Sequence, residues 1–493
     1  MANKYIISID QSTQGTKALL FNEGGDFIAR TDMTHKQLVD EQGWISHDAD
    51  EIYNNTVQVI KNLIEKENID KNKVIALGIS NQRETSVLWD RETQMPLAPA
   101  VVWQCARAME ICEREYIKSQ AELINNKTGM KLSPYFPAAK IAWLLENVEG
   151  AKQKALEHKV CHGTIDSWLV FKLTNGASYK TDYSNASRTQ LFNIFDLKWD
   201  EEICELFGIE LQNLPEVIDS DAFFGNTSLN GYFEHSIPIH AVLGDSHAAL
   251  FGQGCLLPGM MKATYGTGSS IMMNIGEKPV LSQYGVVTSL AWSRSGKAEY
   301  VLEGNLNYTG AVVTWLKDDM KLIMDSDETE ILANEALKND GLYFIPAFTG
   351  LGAPYWDSRA RAMVVGMDRT TGKSEFVRAT LECIAYQIMD VVRAMEKDTK
   401  IQVEELRVDG GATRNRYLMQ FQSDILNVTI QIPEAEELSG IGAAYMAGIS
   451  LRVWDDNIFK KINYKSYVSA MDQEIRKTKI AGWKEAIGKV LTK

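Results

Sequence analysis

Apolar residues along the chain fall into two rhythms. Short, nearly continuous runs at Tyr5-Ile6-Ile7-Ser8-Ile9, Ala18-Leu19-Leu20-Phe21 and Val74-Ile75-Ala76-Leu77-Gly78-Ile79 read as strands buried on both faces. Residues 49–66 instead place Ile52, Val57, Ile60 and Ile64 at helical spacing. The first 30 residues thus predict a β-hairpin that turns through Gly15 and stops before Glu23-Gly24-Gly25. The two rhythms alternate to the C-terminus, which predicts an α/β class.

Three Gly/Thr-rich turns follow such strands: Asp10-Gln11-Ser12-Thr13-Gln14-Gly15-Thr16-Lys17, Tyr265-Gly266-Thr267-Gly268-Ser269 and Asp409-Gly410-Gly411-Ala412-Thr413. Glycine lets backbone N–H groups close on an anion, and threonine hydroxyls add neutral donors. One such turn is ordinary. Three of them, one with an acid suited to Mg²⁺ and a lysine suited to phosphate, predict a nucleotide held between two domains by an ATP-dependent phosphotransferase.

A Gly/Pro-rich passage at Gly252–Gly259 precedes Met260-Met261-Lys262-Ala263-Thr264, which leads into the second turn as Tyr5–Ile9 leads into the first. This loose duplication predicts domains over 1–252 and 253–493. The small residues of Gly440-Ile441-Gly442-Ala443-Ala444-Tyr445-Met446-Ala447-Gly448 predict a structural helix lying close against its own domain's sheet.

With 493 residues the chain exceeds a single core, and 45% hydrophobic with 24% charged residues is ordinary for a globular protein. A net charge of −14 argues against a nucleic-acid or anionic-membrane partner. The six cysteines are scattered, without a C-x-x-C pair, which predicts free thiols in a reducing compartment. Residues 1–9 offer one lysine and an apolar run of about five residues, too short for the apolar region of a signal sequence, and no stretch approaches the roughly 18 apolar residues of a membrane span. A soluble, cytoplasmic protein is expected.

Further segments complete the pattern: Gly78-Ile79-Ser80-Asn81-Gln82-Arg83-Glu84-Thr85, Val102-Trp103-Gln104-Cys105, Tyr135-Phe136-Pro137-Ala138-Ala139-Lys140, Asn185-Ala186-Ser187-Arg188-Thr189, Gly244-Asp245 with Ala248–Gln253, and Phe348–Asp357. In these and in residues 362–382 the chain resembles the FGGY carbohydrate kinases, and among them the glycerol kinases most. The resemblance implies two actin-like (ribonuclease-H-like) α/β domains, with ATP and a small polyol or sugar in the cleft between them. It implies a homodimer or homotetramer as the mode of assembly.

The resemblance also implies roles. Asp245 would be the general base, where an isolated Gly-Asp would read as a helix N-cap. Asp10 would hold Mg²⁺ through water. Thr13, Gln14 and Lys17 would meet the transferred phosphate, with Lys17 standing where glycerol kinases usually carry Arg. Gly266 and Thr267 would hold the β- and γ-phosphates, and Gly310, Thr314, Gly411, Ala412 and Asn415 the nucleoside side. Thr314 replaces a common Gln. Arg83, Glu84 and Tyr135 would bind acceptor hydroxyls, and Trp103 would wall the acceptor's carbons.

The acceptor pocket departs from the pattern. Ser246 and His247 replace two Gln, and Ser270 replaces a Phe, so the pocket loses volume-filling groups and gains hydroxyls. That favours a four- or five-carbon polyol or ketose, with His247 as a further hydroxyl ligand. Glycerol stays the acceptor if neighbouring side chains fill the space and His247 packs behind the cleft. A sugar sensor without turnover and a chaperone-type or actin-type ATPase are the competing classes. Asp10, Thr13, Asp245 and Thr267 disfavour the first, and Arg83, Glu84 and Trp103 disfavour the second.

Overall fold

The computed structural model describes residues 4–336 and 341–492, so residues 1–3 of the N-terminal stretch lie outside it. The hairpin is present as Tyr5–Gln11 and Gly15–Asn22, and the helix as Ala49–Lys66, capped by Asp48, whose side chain accepts from the Asp50 and Glu51 N–H groups. Ile7, Ile9 and Leu20 face this helix, while Ile6, Leu19 and Phe21 face a second cluster on the other side. Both faces are covered, which explains why the strands read as continuous apolar runs rather than alternating ones.

Two sheets carry the fold. The first runs Phe223–Thr227, Ile237–Gly244, Val74–Asn81, Tyr5–Gln11, Gly15–Asn22, Phe27–Thr34. The second runs Val287–Arg294, Lys297–Leu306, Ser269–Gly276, Met261–Tyr265, Glu405–Gly410, Thr429–Pro433, Tyr464–Tyr467. In each, an opening strand pairs antiparallel with its successor on one side and parallel with a later strand on the other. The duplication suggested by five residues of sequence thus extends through the topology, and the architecture is the two-domain actin-like α/β fold.

A smaller five-stranded sheet, holding Ser86–Asp90, Ala100–Val101 and Val160–Thr164 among its strands, sits on the first domain with its own core. It delivers Trp103, two residues past a strand, and Tyr135, just before the helix Pro137–Asn147.

The small-residue helix Leu438–Ser450 corrects its expected partner. It packs on the first domain's strands Val74–Asn81, Tyr5–Gln11 and Ile237–Gly244, and along the helix Asp245–Gly252. A Cβ on Gly442 would stand 1.9 Å from the Ala248 carbonyl oxygen, so only glycine allows this approach. Gly442→Ala is therefore expected to cost about 1–3 kcal/mol, the usual penalty for overpacking, read as a lower urea midpoint. No loss would show that the two helices are not in contact.

All six cysteines are buried and unpaired. Among the described residues no helix is long and apolar enough to cross a membrane.

Candidate active site

Turns from both sheets meet across a cleft of about 1040 Å³, lined by Thr13 and Gln14 from one side and Gly266 and Thr267 from the other. The first turn closes through the Ser12 N–H to the Gly15 carbonyl at 2.8 Å. Its outer edge is pinned twice: the Trp103 indole N–H donates to Thr13 Oγ1 at 3.0 Å, and His35 Nε2 lies 3.0 Å from the Thr13 carbonyl. The second turn is braced by the Gly310 N–H, which donates to the Gly266 carbonyl at 2.9 Å and opens the helix Gly310–Asp318. A Cβ on Gly310 would sit 2.6 Å from that oxygen, so the turn and the helix can meet only at a glycine. Register places Gly410 beside Tyr265, so Gly411 and Ala412 enter the same end of the sheet as the second turn.

Asp245 is the first residue of its helix; Gly244 takes the N-cap position. Oδ1 accepts from Arg83 Nε at 2.9 Å and from the Ser246 N–H at 2.6 Å. The side chain is 35% exposed, into the cleft, and so open to a ligand. Asp10, on the first strand, is buried, 3.4 Å from Ser80 Oγ and 4.0 Å from Lys17 Nζ. Burial pushes its carboxyl up to about 6 against the pull of Lys17, and the neighbouring Asp245 charge adds to the rise. Lys17 donates to Glu437 Oε2 at 2.7 Å, and Arg30 shares that carboxylate.

The strongest electrostatic feature is one that sequence reasoning missed. Glu303, fully buried in the strand Lys297–Leu306, accepts from Arg83 Nη1 at 3.0 Å on both oxygens and pairs with Arg188 Nη1 at 2.6 Å. Arg188 Nε donates to Glu84 Oε1 at 2.6 Å. Burial alone would raise the Glu303 carboxyl, but the Arg188 and Arg83 guanidiniums outweigh it and hold the group well below the carboxylate range. Glu84 itself sits at φ 59°, a left-handed conformation costing roughly 1–3 kcal/mol for a non-glycine residue. The network holds Arg83 so that one guanidinium faces Asp245, Ser246 and the second domain at once. Its only sequence signal is a lone acid within Tyr300-Val301-Leu302-Glu303.

Tyr135 and Trp103 stand together, ring centroids 5.5 Å apart, on one cleft wall. Burial raises the Tyr135 phenol, as does Glu84, so the hydroxyl stays protonated. Ser246 accepts from Arg83 Nη2 at 3.0 Å, and Ser270 donates to Glu303 Oε1 at 3.2 Å; both line the cleft.

One sequence-derived residue stands elsewhere. His247 is fully buried behind Arg83, with Nε2 3.4 Å from Ser289 Oγ and Nδ1 unbonded, so it does not reach the acceptor side. Burial, with Arg83 and Arg188 nearby, keeps its ring neutral. Thr314 is exposed on the helix surface, its hydroxyl 3.4 Å from the Gly310 carbonyl. Asn415 caps the helix Arg416–Leu426 through the Leu418 N–H and donates to Thr329 Oγ1 at 3.0 Å.

Models of the FGGY family of carbohydrate kinases match here, the N-terminal domain over residues 5–252 and the C-terminal domain over 261–451. A glycerol kinase of Oceanobacillus iheyensis is 44% identical over 490 residues, covering 99% of this chain and 98% of that protein. Glycerol kinase 1 of Thermotoga maritima is 46% identical over 491 residues, covering 99% and 100%. The solved Plasmodium falciparum glycerol kinase with ADP superposes with a TM-score of 0.93 at 36% identity, covering 99% of each chain.

Proposed function

Because the chain belongs to the FGGY family of carbohydrate kinases, and is thereby an ATP-dependent kinase of a sugar or polyol, we propose that its acceptor is a small acyclic polyol bound as glycerol would be. The observation that carries this reading is the Arg83 guanidinium, fixed by Glu303 and donating to Asp245 at 2.9 Å where turns of both domains converge.

Asp245 accepts the proton of the attacking hydroxyl, while Arg83 keeps its carboxylate oriented. Arg83, Glu84 and Tyr135 bind acceptor hydroxyls, and the Trp103 ring covers the carbon chain. Thr13, Gln14 and Lys17 meet the γ-phosphate from the first domain; Gly266 and Thr267 meet the β- and γ-phosphates from the second. Gly310, Gly411 and Ala412 flank the nucleoside side with backbone. Closure of the cleft brings the two sets of turns onto one nucleotide and excludes water.

Asp10 suits Mg²⁺. Among the described residues no group of three His, Cys, Asp or Glu could hold a metal unaided. Mg²⁺ needs no such cage, since one or two carboxylates, nucleotide oxygens and water complete its shell. The ion would supply charge neutralisation on the phosphates.

Lys17→Met is expected to raise the KM for ATP about tenfold with a smaller effect on acceptor KM, as one phosphate-neutralising charge is worth roughly 1–2 kcal/mol. An unchanged KM would remove Lys17 from the nucleotide site. ADP release that depends on an added polyol, followed in a coupled assay, tests the reading as a whole. Release at one rate with and without every polyol would leave an ATPase.

A further inference from the structure

The second domain presents Ser270 and Asn305 to the cleft, with the buried Glu303 beside them. Glu303 and Asn305 lie two residues apart on the strand Lys297–Leu306 and therefore share a face. Ser270, on the neighbouring antiparallel strand, is in register with Asn305, which places the two side chains together on that face. The intervening Gly304 points to the domain interior, where an added Cβ would meet Val391. Ser246 reaches the same face from the first domain, linked to Ser270 by one guanidinium and one carboxylate: Arg83 Nη2 to Ser246 Oγ at 3.0 Å, Arg83 Nη1 to Glu303 Oε1 at 3.0 Å, and Ser270 Oγ to Glu303 Oε1 at 3.2 Å.

These groups differ in what they have left to offer. The Glu303 oxygens are occupied by Arg83, Arg188 and Ser270. Ser270 has spent its proton on Glu303 and keeps its lone pairs. Ser246 has spent a lone pair on Arg83 and keeps its proton. The Asn305 amide, half-buried and lining the cleft, makes no hydrogen bond with another described residue, so both its N–H donors and its oxygen are uncommitted. One acceptor, one donor and one group of both kinds, lining one cleft, match hydroxyls, each of which donates and accepts.

We propose that Ser246, Ser270 and Asn305 form a subsite for the hydroxyls of a fourth and fifth carbon, so that the preferred acceptor is an acyclic four- or five-carbon polyol or open-chain ketose. The inference rests on the kinase reading above and narrows its substrate. Specificity follows from pairing: a substrate hydroxyl satisfies Asn305 and Ser270, whereas a three-carbon acceptor leaves them to water. A site built to bond a hydroxyl discriminates strongly against the analogue that lacks it.

The test compares kcat/KM for glycerol, erythritol, threitol, ribitol, xylitol, arabinitol, xylulose and ribulose in wild type, Asn305→Ala and Ser270→Phe. At least one four- or five-carbon acceptor should exceed glycerol by tenfold or more in wild type. Asn305→Ala should lower the ratio of that acceptor to glycerol at least tenfold, and Ser270→Phe, which fills the wall with an apolar ring, should move the ratio the same way. Ser246→Ala provides a third readout should either variant fold poorly, as judged by its thermal unfolding midpoint. Glycerol as best acceptor overturns the subsite and leaves the kinase reading standing, as does an unchanged ratio in all three variants. Absence of turnover with every acceptor overturns the kinase reading itself.

Discussion

Asp245→Asn should lower kcat with the best acceptor by about 10²- to 10⁴-fold, the usual contribution of a positioned general base. The substitution is close to isosteric, and its amide oxygen can still accept from Arg83 Nε, so the polar network and the helix start are retained. ATP affinity should change little, because the turns proposed to hold the nucleotide are braced through Thr13, Gly266 and Gly310 rather than through Asp245. The KM for the acceptor should rise only modestly, since Arg83, Glu84 and Tyr135 remain. A large kcat loss with intact ATP binding separates proton transfer from scaffolding. Retention of more than a tenth of wild-type kcat would remove Asp245 as the base, and equal losses in ATP binding and kcat would make it a structural residue.

The second large effect is on stability. Glu303→Met leaves Arg83 and Arg188 facing one another, both buried, with Glu84 as the remaining fully buried carboxylate partner. Removing one member of a buried charge network costs roughly 3–5 kcal/mol, because the partner charges stay desolvated. The double variant Arg83→Met/Glu303→Met should be more stable than Glu303→Met alone, since it removes the stranded guanidinium and leaves the Arg188–Glu84 pair. That non-additivity is the signature of a shared network. Additive losses in the double variant, or a Glu303→Met protein as stable as wild type, would mean that Glu303 does not carry the interdomain charge.

How much of this was legible in the sequence depends on the distance over which each signal acts. The strands Tyr5–Gln11 and Val74–Asn81 and the helix Ala49–Lys66 announce themselves because their periodicity is local and their caps are adjacent. The Gly/Thr-rich turns do so too, since glycine and threonine at a strand end stand within a few residues of one another. Glu303 was invisible for the opposite reason: its partners Arg83 and Arg188 come from distant parts of the chain, and pairing across a cleft leaves no spacing to read. The helix Leu438–Ser450 shows the intermediate case. Its small residues signal close packing, yet nothing local says that the partners are Ala248 and Gly78 of the first domain rather than its own sheet. His247 was misplaced because a side chain two residues past Asp245 on a helix turns away from the cleft, toward Ser289. Asn305 gave no signal at all until its register with Ser270 put both on one wall.

The Asp245 carboxylate, held by the Arg83 guanidinium, is expected to face the reacting oxygen. A crystal structure of the full chain with a non-hydrolysable ATP analogue, Mg²⁺ and the best acceptor measures it directly. An acceptor hydroxyl is expected within about 3.2 Å of the Asp245 carboxylate and in line with the γ-phosphorus, with Thr13 and Thr267 on the phosphate oxygens. An acceptor oxygen bound against a different acid, with Asp245 turned away from it, would contradict the account.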